Sequence, residues 1–129
     1  MRVLLDTHAF LWWVSEKGAR LSDLARDLIG APGTEAVFST ASAYEIATKV
    51  GSGRLELAAS PGRYIPDRVA LHGFAVLRIE LEHALRAGGL PSIHRDPWDR
   101  MLVAQAQIEG IPIVTADPAI GRYDVETIW

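Results

Sequence analysis

The sequence predicts an α/β protein built on one central parallel sheet with helices on both faces. Short apolar runs alternate with longer amphipathic stretches along the chain, as parallel strands joined by helical crossovers require. Gly and Pro cluster where the amphipathic stretches end, which marks those stretches as helices with stops. Apolar residues make up 49% and charged residues 22%, so the chain can bury a core and lacks the composition of a disordered one.

Residues 3–5 are the first apolar run and residues 8–14 the first helix. A second helix over residues 21–29 is closed by Gly30 and Pro32. Residues 36–39 form the second strand and residues 43–50 the third helix, stopped by Gly51-Ser52-Gly53. A helix lies within residues 61–71. The aliphatic run 74–79 is the third strand, followed by a helix over 81–87 that Gly88, Gly89 and Pro91 terminate. Residues 88–97 are the one long irregular stretch expected. Pro97 suits the first position of a long helix over 97–109, and Gly110 suits its end. Residues 111–114, rich in β-branched side chains, are the fourth strand, and residues 125–129 add an edge strand. A chain of 129 residues hides roughly two-thirds of its unfolded surface in one core and is too short for two, so one domain over residues 1–129 is expected.

The chain has no cysteine, which excludes a disulfide framework, thiolate-ligated zinc and a cysteine nucleophile. Any metal must be held by oxygen or imidazole. Asp6 and His8 interrupt the first apolar run, so no secretory signal is read there. No run approaches the roughly 20 apolar residues of a spanning helix. The expectation is a soluble, cytoplasmic protein with no membrane partner. A net charge of −3 gives no global basic footprint, so contact with nucleic acid has to be local.

In such a sheet, ligands bind outside the carboxyl ends of the strands. That rule selects Asp6 after the first strand, Glu45 in the helix after the second, Asp99 at the start of the long helix, and Asp117 after the fourth strand. Each also has a plain structural explanation. Asp6 and Asp117 suit N-caps, Asp117 with Pro118 at the first helical position. Ser42-Ala43-Tyr44-Glu45 matches a capping box. Asp96 reads as a cap before Pro97, with Asp99 in the first turn, where the helix dipole favours an acid by about 0.3 to 1 kcal/mol.

Taken together, the four carboxylates converge on one edge of the sheet. Charges about 4 Å apart repel by roughly 4 kcal/mol at an effective dielectric near 20, so either the acids are neutralised by raised pKa values or a divalent cation joins them. Carboxylate ligands suit the hard ions Mg²⁺ and Mn²⁺. An ion so held polarises a phosphodiester and activates a water, chemistry that hydrolyses a nucleic-acid backbone without a protein nucleophile.

The segments LLDTHAFLWW, SAYEIATKVGSGRL, LPSIHRDPWDRMLVAQA and PIVTADPAIGRYDVETIW resemble, in order and spacing from Arg2 to Trp129, the PIN-domain ribonucleases, and in particular VapC-like toxins of type II toxin–antitoxin pairs. The resemblance implies a three-layer α/β/α, Rossmann-like PIN fold, Mg²⁺- or Mn²⁺-dependent endoribonuclease activity on RNA, a homodimer and a cognate antitoxin. It places the family's metal-binding, catalytic acids on Asp6, Glu45, Asp99 and Asp117. Asp96 competes with Asp99 for the third position; Asp99 precedes RMLVAQA as the family's acid does.

Around the acids, Thr7, Ser42, Thr115, Asp96 and Arg100 are candidates for orienting a carboxylate or touching substrate. Each has a plainer role as first-turn, strand, cap or solvated residue. His8 and His94 invite a general-base role, though a loop histidine such as His94 serves more often as a hydrogen-bonding brace. Lys49 is spaced for an i,i+4 pair with Glu45; with Arg95, Arg100 and Arg122 it alternatively forms a phosphate-guiding rim. Trp98 and Tyr44 lie near the expected site. Trp12 and Trp13 point about 100° apart on their helix, so either one packs inside and the other reaches an interface or both are half-buried. Two other functions use the same fold: a non-catalytic protein-interaction module, and a DNA-directed nuclease with the same acids.

Overall fold

The computed structural model describes residues 1–16 and 18–129, with the backbone alone at Glu16. Five parallel strands form one sheet in the order β3-β2-β1-β4-β5: β1 Arg2–Leu5, β2 Glu35–Ser39, β3 Ala75–Leu77, β4 Ile113–Val114 and β5 Thr127–Ile128. Among the described residues six helices connect them: α1 Thr7–Glu16, α2 Asp23–Gly30, α3 Thr40–Gly51, α4 Pro61–His72, α5 Leu81–Gly89 and α6 Pro97–Glu109. The three-layer α/β/α arrangement follows from how β1 is buried. Val3 and Leu5 enter one apolar cluster with Phe10, Ile29, Phe38, Ile46 and Tyr64. Leu4 enters the other, with Val37, Leu102, Val103, Ile113 and Ile120. A strand covered on both faces has no polar side to show, which is why residues 3–5 read as an unbroken apolar run.

The chain runs outward from β1 through β2 to β3, then returns to place β4 on the other flank of β1. This reversal of strand order puts a crevice between the carboxyl ends of β1 and β4. The register makes it narrow: Leu5 pairs with Val114, and the Asp6 N–H donates to the Val114 carbonyl at 3.1 Å. The residues that follow the two strands, Asp6 and Thr115, therefore face a common opening.

Strand boundaries are shorter than the apolar runs suggest. The run 74–79 yields only Ala75–Leu77, whose last partner is Ser39 at the end of β2, and the run 111–114 only Ile113–Val114, since Pro112 has no N–H to give the ladder. The closing edge strand is Thr127–Ile128. Helix α6 begins at Pro97 after its N-cap Asp96, whose carboxylate accepts from the Trp98 and Asp99 amides at 2.8 and 3.2 Å. It ends at Gly110, which takes the left-handed conformation (φ 67°) that only glycine adopts without strain.

Two cap assignments are corrected. Helix α3 starts at Thr40 with Ser39 as its N-cap, the Ser39 hydroxyl accepting from the Ala41 amide at 3.0 Å. Ser42 and Glu45 therefore lie inside the helix and form no capping box. Asp117 opens no α-helix either. Its carboxylate accepts from the Ala119 amide at 2.9 Å, turning the chain into a 3-10 segment, Ile120–Arg122.

Candidate active site

Asp6 sits at the carboxyl end of β1 and is 5% exposed. One carboxylate oxygen accepts from the Ala9 amide at 2.7 Å and so caps α1. A carboxylate has two oxygens, so capping and ligation do not compete. Burial pushes the Asp6 carboxyl above its ordinary range, against the pull of the Thr115 hydroxyl, the Ala9 amide and His8. Thr115 has a second contact, its Oγ1 accepting from the Asp117 amide at 3.0 Å, and thereby ties the ends of the two strands flanking the crevice.

Glu45 reaches the same crevice from α3. The Thr7 hydroxyl lies 2.7 Å from Glu45 Oε1 and 2.9 Å from Ser42 Oγ, all three groups buried. Lys49 Nζ is 2.6 Å from Glu45 Oε2. Ser42 accordingly sits beneath the site as Thr7's partner, and Lys49 makes the i,i+4 pair expected of it. Because Glu45 is only 4% exposed, that ammonium neutralises a carboxylate that water cannot solvate.

The third wall is the first turn of α6 and the loop before it. His94 Nδ1 accepts from the Asp96 amide at 3.4 Å, which leaves the ring proton on Nε2. Nε2 is 3.0 Å from Asp99 Oδ2 and 3.2 Å from Asp117 Oδ2. The imidazole thus bridges two acids. Burial, then the charges of Asp96, Glu45 and Asp6, push the Asp99 carboxyl up to about 7, with His94 pulling the other way.

These side chains share a small cavity of about 210 Å³ lined by Asp6, Thr7, Glu45, Asp96, Asp99 and Asp117, with His8, Lys49 and His94 at its sides. Among the described residues, the tightest group of potential ligands is His94, Asp99 and Asp117, whose ligand atoms lie within 4.8 Å of one another. An imidazole is therefore closer to the centre of the cluster than an oxygen-only site implies. The sequence signal was the histidine two residues before Asp96 in HRDPWD, a spacing that turns the ring back onto the helix start.

Arg100 is not part of this cavity. A residue next to Asp99 on a helix points about 100° away from it, and the guanidinium donates instead to the carbonyls of Pro91 (2.9 Å), Ala87 (2.9 Å) and Leu90 (3.1 Å). It clamps the loop that carries His94, rather than guiding phosphate. Tyr123 shares the task, its hydroxyl accepting from the His94 amide at 2.8 Å. Arg95 and Arg122 are exposed. Trp12 and Trp13 are both half-buried: Trp12 packs on Trp129 and His8, and Trp13 Nε1 donates to His72 Nδ1 at 3.3 Å. Tyr44 and Trp98, each adjacent in sequence to an acid of the site, pack on one another with ring centroids 4.7 Å apart.

The donor set fits a hard divalent cation. Carboxylate oxygens dominate it, and an Asp99 carboxyl that titrates only at about pH 7 marks a site short of positive charge. A parallel α/β sheet with such a cluster at the reversal of its strand order defines an acidic, metal-competent site.

Residues 3–126 match the PIN domain family, and the chain belongs to that family. No curated protein sequence matches it. In fold it is similar to a chain of VapBC2 from Rickettsia felis, solved bound to a DNA fragment from their promoter, with a TM-score of 0.70 at 13% identity over 99% of this chain and 98% of that one. FitAcB from Neisseria gonorrhoeae gives 0.64 at 18% identity, over 98% and 96%. A toxin–antitoxin complex from Klebsiella pneumoniae gives 0.61 at 14% identity, over 98% and 96%.

Proposed function

We propose that the protein is a Mg²⁺- or Mn²⁺-dependent endoribonuclease and the toxin of a toxin–antitoxin pair. The observation that supports this most directly is the convergence of Asp6, Glu45, Asp99 and Asp117 on one small buried cavity. PIN-family membership and the fold shared with chains of toxin–antitoxin assemblies support the wider reading.

In this reading the four acids hold the cation, with His94 at the edge of the cluster. A hard divalent cation bound there supplies Lewis acidity to a phosphodiester oxygen and to the attacking water. The protein's own groups do the rest. Thr7, fixed by Ser42, orients Glu45, while Lys49 balances its charge. Thr115 couples Asp6 to Asp117. His94 keeps a proton on Nε2 against Asp99 and Asp117 and so holds the two side chains together.

The whole chain acts as one cytoplasmic domain; among the described residues no helix is long and apolar enough to cross a membrane. It works as a homodimer bound by a cognate antitoxin, and the exposed Val76, Ile79, Leu81 and Leu85 on and beside β3 and α5 are apolar surface for such contacts. The test is cleavage of end-labelled single-stranded RNA and DNA with EDTA, Mg²⁺ or Mn²⁺. RNA should be cut only with metal, DNA left intact, and Asp6→Asn should be inert while keeping the α1 cap, since Asn caps as well as Asp. Cleavage in EDTA, or parental cleavage by Asp6→Asn, refutes the mechanism.

A further inference from the structure

A larger cleft of about 740 Å³ opens beside the acidic cavity and shares Thr7, His8 and Lys49 with it. Its wall carries cations. Thirteen Lys and Arg against sixteen Asp and Glu give the protein its net charge of −3, yet among the described residues the cleft is lined by Arg54 and Arg68, besides Arg20 and the Lys49 that Glu45 neutralises, against the carboxylate of Glu56. The Arg54 side chain is exposed and, among the described residues, donates only from Nε to Ser52 Oγ at 2.8 Å. The Arg68 guanidinium lies over the Tyr64 ring, 5.5 Å from its centroid, and has no ion-pair partner among the described residues. At the lip shared by the two cavities, the exposed His8 ring stacks on Trp12, with centroids 5.4 Å and planes 23° apart.

We propose that this cleft is the binding subsite for nucleotides adjoining the scissile phosphate of single-stranded RNA. The inference rests on the nuclease reading for its geometry. A pocket of carboxylates repels a polyanion, so the strand needs cations on the adjoining wall to stay in place. Arg54 and Arg68 supply them on the side away from the acids. The flat His8 face suits an unstacked base, which single strands present and duplexes do not. The cleft thus gives an acidic protein the local site that its overall charge denies it. Its apolar wall of Leu11, Leu55 and Leu57 would also fit a protein segment, but Arg54 and Arg68 and the continuity with the acidic cavity favour RNA.

Fluorescence anisotropy with an end-labelled single-stranded RNA in EDTA reads binding without cleavage. The double variant Arg54→Ala/Arg68→Ala should flatten the plot of log K against log salt by about 1.4, at about 0.7 for each phosphate left without its cation. With Mg²⁺ its KM should rise about ten-fold while kcat stays within about two-fold. Arg54→Ala alone, at an exposed position that the fold does not need, should give about half the slope change. Arg86→Ala on α5, remote from the cleft, should change neither quantity. Parental slope and KM in the cleft variants, or an equal change in Arg86→Ala, overturns the proposal. Cleft variants that keep RNA binding but lose the antitoxin assign the cleft to a protein and also overturn it. A protein that binds RNA through the cleft but cuts none refutes the nuclease reading, and with it the scissile phosphate, while the cleft stands as an RNA site.

Discussion

Asp99→Asn should make the metal-free protein more stable at alkaline pH. In the folded chain the Asp99 carboxyl is raised from 3.8 to about 7 by burial and by the charges of Asp96, Glu45 and Asp6. Between those values the unfolded chain has released a proton that the native protein still binds. Stability therefore falls as pH rises through the window, and the loss is complete above pH 7. A difference of about 3 between the two pKa values corresponds to about 4 kcal/mol, which solvent screening at a carboxylate 19% exposed reduces to about 2–3 kcal/mol. Asparagine has nearly the same shape and never carries the charge. Urea melts in EDTA should therefore show the variant about 2–3 kcal/mol more stable than the parent at pH 8, with the gap closing toward pH 4. Mg²⁺ at a hundred times its Kd should then stabilise the parent by about 2.7 kcal/mol and the variant far less. A variant less stable than the parent at pH 8, or a gap independent of pH, refutes the claim that Asp99 is held against its own charge.

Thr7→Val keeps shape and removes the hydroxyl that joins Ser42 to Glu45; thermal melts should show a loss of about 1–3 kcal/mol, and calorimetric titration a Mg²⁺ affinity about 10–100-fold lower. If neither changes, Thr7 does not orient Glu45. Arg100→Lys preserves charge but cannot span the carbonyls of Ala87, Leu90 and Pro91, so it should cost about 1–3 kcal/mol. Hydrogen exchange should also quicken at amides 90–94; unchanged exchange there would refute the clamp.

Much of this architecture is readable from the sequence because β1 and its partners are buried on two faces. Unbroken apolar runs, and the glycines that end α3, α5 and α6, leave little choice of layer order. The acids are harder, since a helix cap and a metal ligand draw on the same residue types at the same places. Asp6 shows why the two readings need not exclude each other: its carboxylate caps α1 and also lines the cavity. Glu45 is found by position but explained through the wrong local rule. The sequence points to Ser42 as the cap, whereas the helix starts at Thr40 on Ser39 and Ser42 packs inside it against Thr7. Asp117 followed by Pro118 promises an α-helix, but the short chain to β5 accommodates only a 3-10 segment. Arg100 and His94 depend on directions that spacing along a loop does not encode: the guanidinium turns to three carbonyls, and the ring turns between two acids.

The crevice between β1 and β4 draws on residues far apart in the chain. Asp6 leaves the ribosome well before Asp117 and the strand that positions it, with most of the sheet and all six helices made in between. On the proposed reading, a translating ribosome therefore trails a polypeptide that cannot yet cut its own message or the ribosome's RNA. On the proposed reading, late synthesis of β4 is a safety catch, leaving time for a companion protein to arrive before the enzyme is armed.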